Sequence, residues 1–178
     1  MKKVLALCLT LVMLISVLGT VTVLAKGQQG QSGKSNSWHV NLYQKDSDTW
    51  EVVDGGAWGR LNCQIEDGML TGVFNGKGLE PEVEYCLINY IEVAQNPWPV
   101  GGTAVVCLGS GTANKAGNVH IEAEGDIGGP DTMPDTGDYV GETGDKIWLV
   151  PCNDIVDGKI VAWNPDTYLF EDVLINTP

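Results

Sequence analysis

Asp126, Asp131, Asp135, Asp138, Glu142 and Asp145 are strung along one Gly- and Pro-rich stretch from Gly125 to Asp145. Calcium takes about six to eight oxygens from carboxylates and carbonyls in flexible geometry, so it is the cation such a stretch would suit. No Asp-x-Asp-x-Asp-Gly loop is present, and a loop that only meets water has the same composition. Tryptophans offer a second chemistry. Trp98 stands between Pro97 and Pro99, while Trp50 and Trp58 flank Asp54-Gly55-Gly56. Flat rings on exposed loops can stack on a sugar ring or a peptide; the competing role is to cap the ends of a β structure. Trp148 and Trp163 stand in apolar runs and read as core.

Catalytic residue sets are sparse. His39 and His120 are 81 positions apart, and no Gly-x-Ser-x-Gly elbow is present, so the nucleophile, base and orienting acid of a hydrolytic triad are not assembled by any local pattern. Paired carboxylates about 5–10 Å apart would suffice to hydrolyse a polysaccharide, and their spacing is invisible in a sequence. The expectation is therefore a binding or surface-architecture module and not an enzyme, with a small secreted hydrolase as the alternative.

Compartment follows from the N-terminus. Met1-Lys2-Lys3 precedes an apolar run from Val4 to Ala25, a charged start and a hydrophobic stretch that read as an export signal with cleavage after Val23-Leu24-Ala25. The run is also long enough to cross a bilayer as an uncleaved anchor, the one route to membrane contact. Either way the domain is secreted or displayed at the cell surface. Cleavage removes Cys8 and leaves Cys63, Cys86, Cys107 and Cys152, an even number that favours disulfides in an exported chain. Four cysteines allow three pairings, and proximity along the chain favours Cys63 with Cys86 and Cys107 with Cys152. Without a Cys-x-x-Cys pair or a nearby His, zinc is disfavoured.

Cleavage also removes Lys2 and Lys3, so the formal charge moves from -13 to -15. A chain this acidic lacks the basic stripe that phosphate backbones need, which excludes nucleic acid; a cell-surface glycan or protein is the expected partner. No cofactor is expected beyond calcium.

These residues must be positioned by strands. After a Gly, Gln and Ser tract over residues 26–37, which reads as a flexible linker, the domain at 38–178 shows short runs rich in Val, Ile, Thr and aromatics, separated by Gly, Asn, Asp and Pro. Strands are predicted at His39 to Tyr43, Ala57 to Ile65, Met69 to Phe74, Glu84 to Ile91, Thr103 to Leu108, Val119 to Glu124, Lys146 to Val150, Lys159 to Trp163 and Tyr168 to Ile175. About nine strands fit an all-β, antiparallel sandwich of two sheets behind an N-terminal signal helix. Asp67-Gly68 reads as a hairpin turn, because both residues tolerate positive φ.

Gly78-Leu79-Glu80-Pro81-Glu82-Val83-Glu84-Tyr85, leading into Cys86-Leu87-Ile88, resembles the tyrosine corner of fibronectin type III and immunoglobulin-like sandwiches. The resemblance implies an immunoglobulin-like fold with the Tyr85 hydroxyl bonded to backbone upstream. Cys86 directly follows the tyrosine here, so strand alternation sends it to the opposite face. Phe74-Asn75-Gly76, Pro97-Trp98-Pro99, Leu108-Gly109-Ser110-Gly111, Lys146-Ile147-Trp148-Leu149-Val150 and Trp163-Asn164-Pro165 resemble a group of small exported proteins of methanogenic and related archaea. That group has no assigned activity, so the resemblance implies an exported single domain and transfers no catalytic residue.

Overall fold

A computed structural model describes residues 36–90, 103–127 and 144–175. The signal segment, most of the linker, Trp98, Asp131, Asp135, Asp138 and Glu142 lie outside the described residues.

Ten strands form among them: β1 (Ser37–Tyr43), β2 (Trp58–Glu66), β3 (Met69–Lys77), β4 (Glu84–Tyr90), β5 (Thr103–Thr112), β6 (Val119–Asp126), β7 (Lys146–Pro151), β8 (Ile155–Val156), β9 (Lys159–Ile160) and β10 (Leu169–Glu171). Every paired ladder is antiparallel, in the single order β6-β3-β2-β1-β10-β7-β4-β5-β9-β8. The expected all-β antiparallel class is what forms. Its division into two separate sheets is not what the ladders describe: the sheet is continuous and curls until it is nearly a barrel.

Glycines bring the two flanks together. A Cβ on Gly109 of β5 would collide with the Glu122 carbonyl of β6, and one on Gly111 would lie 2.8 Å from the His120 carbonyl. Only a residue without a side chain lets β5 pass this close to the β6 backbone. A bulge in β5 accompanies the approach: Leu87 pairs with Gly109 and Ile88 with Cys107, leaving Leu108 as the extra residue.

Alternation decides what the curl encloses. Strand β2 is buried at every second residue, sending Gly59, Leu61, Cys63 and Ile65 inward and Trp58, Arg60, Asn62 and Gln64 to water. The interior core gathers Val40, Leu61, Leu70, Phe74, Leu87, Ile121, Ile147 and Leu149. Strand β7 behaves differently, with all six residues buried. Its outward residues Trp148 and Val150 join Cys86, Ile88, Tyr90, Tyr168 and Phe170 in a second core on the outside of β4, β7 and β10. Residues 152–168 supply Cys152, Ile155, Ile160 and Trp163 to that core. In this segment Asp157 and Gly158, at φ 50° and 70°, turn the short β8–β9 hairpin, just as Asp67 and Gly68, at 50° and 81°, turn β2 into β3.

The disulfide pairing differs from the sequence expectation. Cys86 bonds Cys152, at a Cα separation of 5.0 Å, while Cys63 is free and buried and Cys107 free and exposed. Position across the sheet overrides proximity along the chain: Cys63 faces the interior, Cys86 the outer core, and Cys107 open solvent. The pairs Cys63–Cys86 and Cys107–Cys152 are therefore not formed. The Cys86–Cys152 bond closes a loop of 66 residues and fastens the start of the outer cover to β4. On the same strand, the buried Tyr85 hydroxyl accepts the Glu80 N–H at 3.2 Å.

Candidate ligand-binding face

Register lines up outward side chains across the strands. Ile88, Trp148, Phe170, Tyr43, Trp58 and Lys77 are successive partners from β4 through β7, β10, β1 and β2 to β3. One row of the outer surface is thus aromatic over four neighbouring strands. Trp148 and Phe170 are buried and form its floor, Tyr43 is half-buried, and Trp58 is 37% exposed. Tyr90 stacks on Trp148 at 4.1 Å between centroids, and Phe170 meets Trp148 edge-on at 5.2 Å.

The loop between β1 and β2 adds the exposed end of this platform. Asp46 Oδ1 accepts the N–H groups of Asp48 and Thr49, at 3.0 and 2.8 Å, and the Thr49 hydroxyl at 3.0 Å. These bonds, the Thr49 amide foremost, hold the Asp46 carboxyl below the usual carboxylate range. The Trp50 N–H then donates to the Asp46 carbonyl at 2.8 Å, and Trp50 takes a left-handed φ of 59°. For a bulky side chain that conformation costs on the order of 1–3 kcal/mol, so the turn must hold it in place. Trp50 comes to rest edge-on to Phe170 at 5.2 Å and 6.1 Å from Trp163, with 41% of its surface exposed. Gln44 ties the loop down: its side chain donates to the Asp166 carbonyl at 2.6 Å and accepts the Ala57 N–H at 3.1 Å.

Beneath the cover, Tyr168 braces the segment that carries Trp163. Its hydroxyl lies 2.8 Å from Asp154 Oδ2 and 2.9 Å from the Ala162 carbonyl, and Asn164 donates to both Asp154 oxygens. Burial, helped by the Asp154 bond, pushes the Tyr168 hydroxyl well above its usual range, so it stays a donor.

Beside the aromatic row runs a polar one, in which Asn41, Arg60, Asn75 and His120 are successive partners on β1, β2, β3 and β6. Asp172 accepts both the backbone and the side-chain N–H of Asn41, at 3.0 and 2.9 Å; Asn41 Oδ1 accepts Arg60 Nε at 2.8 Å. His120 Nδ1 and Asn75 Oδ1 are 2.8 Å apart, and one row further on His39 and Asn62 repeat the pairing at 2.8 Å. An open hollow of about 450 Å³ lies over Ser37, His39, Asn62, Gln64 and Thr71. Both histidines thus stand on the exposed sheet surface, each against an asparagine.

Two of the three tryptophans picked out by sequence, Trp50 and Trp58, belong to this face; Trp98 lies outside the described residues. Trp163 is half-buried and contacts Trp50, so it serves as a flank of the platform as well as core. Tyr43, Phe170, Arg60 and Asn75 carried no mark in the sequence beyond the period of their strands. Of the proposed calcium ligands, Asp126 is exposed at the end of β6, and Asp145 is buried, accepting Asn89 Nδ2 at 3.0 Å and bridging Ile175. Among the described residues no group of three or more His, Cys, Asp or Glu side chains is placed to hold a metal ion.

Fold and face together define an all-β, curled antiparallel sheet with an aromatic and amide-lined outer surface. No protein-family model, curated protein or solved structure matches the chain.

Proposed function

We propose that this protein is a non-catalytic module of the cell exterior that binds glycan chains on the outer face of β3, β2, β1 and β10. The observation that carries the reading is the aromatic row through Phe170, Tyr43 and Trp58, extended by Trp50 and Trp163 and bordered by Asn41, Asn62 and Asn75. Sugar rings offer apolar C–H faces to flat side chains and hydroxyls to amides, and such a face provides both at fixed spacing. A strained Trp50 supports it further, since strain of this kind persists where the surrounding turn holds it and gathers at binding sites.

The apolar run from Val4 to Ala25 and the Cys86–Cys152 disulfide support an exterior location. The Tyr85–Glu80 bond is the local contact an immunoglobulin-like relationship would account for. The test is binding of the full chain to a glycan array, followed by titration of the best ligand against Trp50→Ala and Trp58→Ala. Each substitution is expected to weaken binding about tenfold, with the thermal unfolding midpoint little changed. Binding that survives both substitutions would place the site elsewhere.

A further inference from the structure

We infer that the glycan taken by this face carries free amines, a chain of amino sugars that seats ammonium groups against Trp50. This rests on the glycan-binding reading above and names its ligand class.

Charge at the exposed end of the aromatic row is negative. The loop between β1 and β2 places Asp46, Asp48, Glu51 and Asp54 within four residues of Trp50, all of them exposed. Asp166, whose carbonyl receives the Gln44 side chain, is exposed in the segment that carries Trp163. The single lysine of the loop, Lys45, is buried with its ammonium over Phe170 and is not offered to a ligand. Lys159, on the β8–β9 hairpin, is matched there by the exposed Asp157. Two exposed cations remain on the outer face, and both stand away from Trp50. Lys77 closes the row at β3, three strands from Phe170 and about 14 Å along the sheet. Arg60 donates to Asn41, which in turn donates to the Asp172 carboxylate, so its charge is locally offset.

Rings of this surface already take ammonium groups. Lys77 Nζ lies 4.5 Å from the Trp58 centroid, Lys146 Nζ 5.8 Å from that of Tyr90 and Lys45 Nζ 6.0 Å from that of Phe170. The negative face of an aromatic ring attracts a cation in this position. Trp50, 41% exposed against 37% for Trp58, is the more open ring, and no lysine or arginine among the described residues lies over it. An arriving ammonium meets the ring and its carboxylates together, with no resident cation to displace. At physiological salt a charge is screened over about 8 Å, so these near carboxylates decide more than the distant Lys77. Glu66, Glu122, Glu124 and Asp126 form a second acidic corner, but its outward neighbours Gln64, Met69, Thr71 and Val73 include no ring. That corner attracts a cationic chain without giving its sugars a surface to stack on, whereas the Trp50 end does both.

The experiment compares the full chain's affinity for glucosamine oligomers and for the same oligomers fully N-acetylated, in which the rings and linkages are kept and the charge is removed. It is run at about pH 5.5, where exposed carboxylates are ionised and the free amines charged. Exposed ion pairs and ring–cation contacts are each worth a factor of a few, so together they should make the glucosamine oligomers bind about tenfold more tightly. Asp48→Asn combined with Glu51→Gln is expected to remove most of that preference without shifting the unfolding midpoint. Equal affinity for the two oligomers, or a preference untouched by the double substitution, overturns the inference and leaves glycan binding standing. Polylysine bound as tightly as the glucosamine oligomers overturns it too, by showing that charge alone is read. Failure of every polysaccharide on the array removes the underlying reading and the inference with it.

Discussion

Strands β4, β7 and β10 are covered on both faces, whereas β1, β2, β3 and β6 are packed on one face and open to water on the other. The two halves are hydrogen-bonded through the β1–β10 ladder, so the same aromatic row is floor in one half and surface in the other. The doubly covered half supplies rigidity, and the singly covered half supplies a surface whose polar groups cost little to leave in water. At the border, rings held from below adjoin a polar row in which Asn41 is bonded to Asp172 and Arg60, and Asn75 to His120.

The largest expected effect separating the halves comes from the disulfide. Replacing Cys86 and Cys152 together with alanine should cost about 4 kcal/mol by loop closure, read as a lowered urea midpoint. Next comes Leu149→Ala, at about 2–5 kcal/mol, because Leu149 is fully buried in the middle of β7. Val73→Ala, on the open side of β3, should cost under about 1 kcal/mol in the same titration, and equal costs would erase the distinction. Gly109→Val probes the closure itself: a side chain driven against the Glu122 carbonyl should cost about 1–3 kcal/mol.

Cysteine reactivity sharpens the contrast chemically. Burial pushes the Cys63 thiol up to about 12, from 9.0, whereas Cys107 is exposed. A thiol reagent at pH 8 should therefore label Cys107 in the native protein and Cys63 only after denaturation, as peptide mapping would show. Because the folded value is raised, the unfolded state loses its proton first as pH rises. The Cys63 contribution to stability is full below pH 9 and is lost as pH climbs towards 12. Tyr85 and Tyr168 shift in the same direction through burial, so Cys63→Ala should lessen the alkaline loss of stability without abolishing it. The smallest effect belongs to His39→Ala, within about 0.5 kcal/mol, since its partner Asn62 is equally exposed.

Strand positions were legible because alternation and turn residues are local. All nine predicted strands overlap observed ones, and the two-residue β8 escaped because Ile155 and Val156 are too short a run to show a period. Closure was not legible: nothing in Leu108-Gly109-Ser110-Gly111 says that its glycines face β6 across the sheet. The cysteine pairing failed for the same reason, since the face a residue takes and the strand order are tertiary facts. At the candidate face, Trp50 and Trp58 stood out by type and setting. Their neighbours did not, because Phe170, Tyr43 and Trp58 become one row only once β10 pairs with β1. The apolar run around Trp163 marks it as core, and its contact with Trp50 depends on a loop conformation set by Asp46.

The cluster of Trp50, Trp148 and Trp163 around Phe170 also has an optical consequence. Indoles with centroids 6.1 Å apart, as in the Trp50–Trp163 and Trp148–Trp163 pairs, couple their electronic transitions, and Tyr90 stacked on Trp148 is placed to pass excitation to it. The native protein thus carries its own reporter in exciton circular dichroism and tryptophan emission. That signal depends on the outer cover being seated, and it would change on Trp50→Ala.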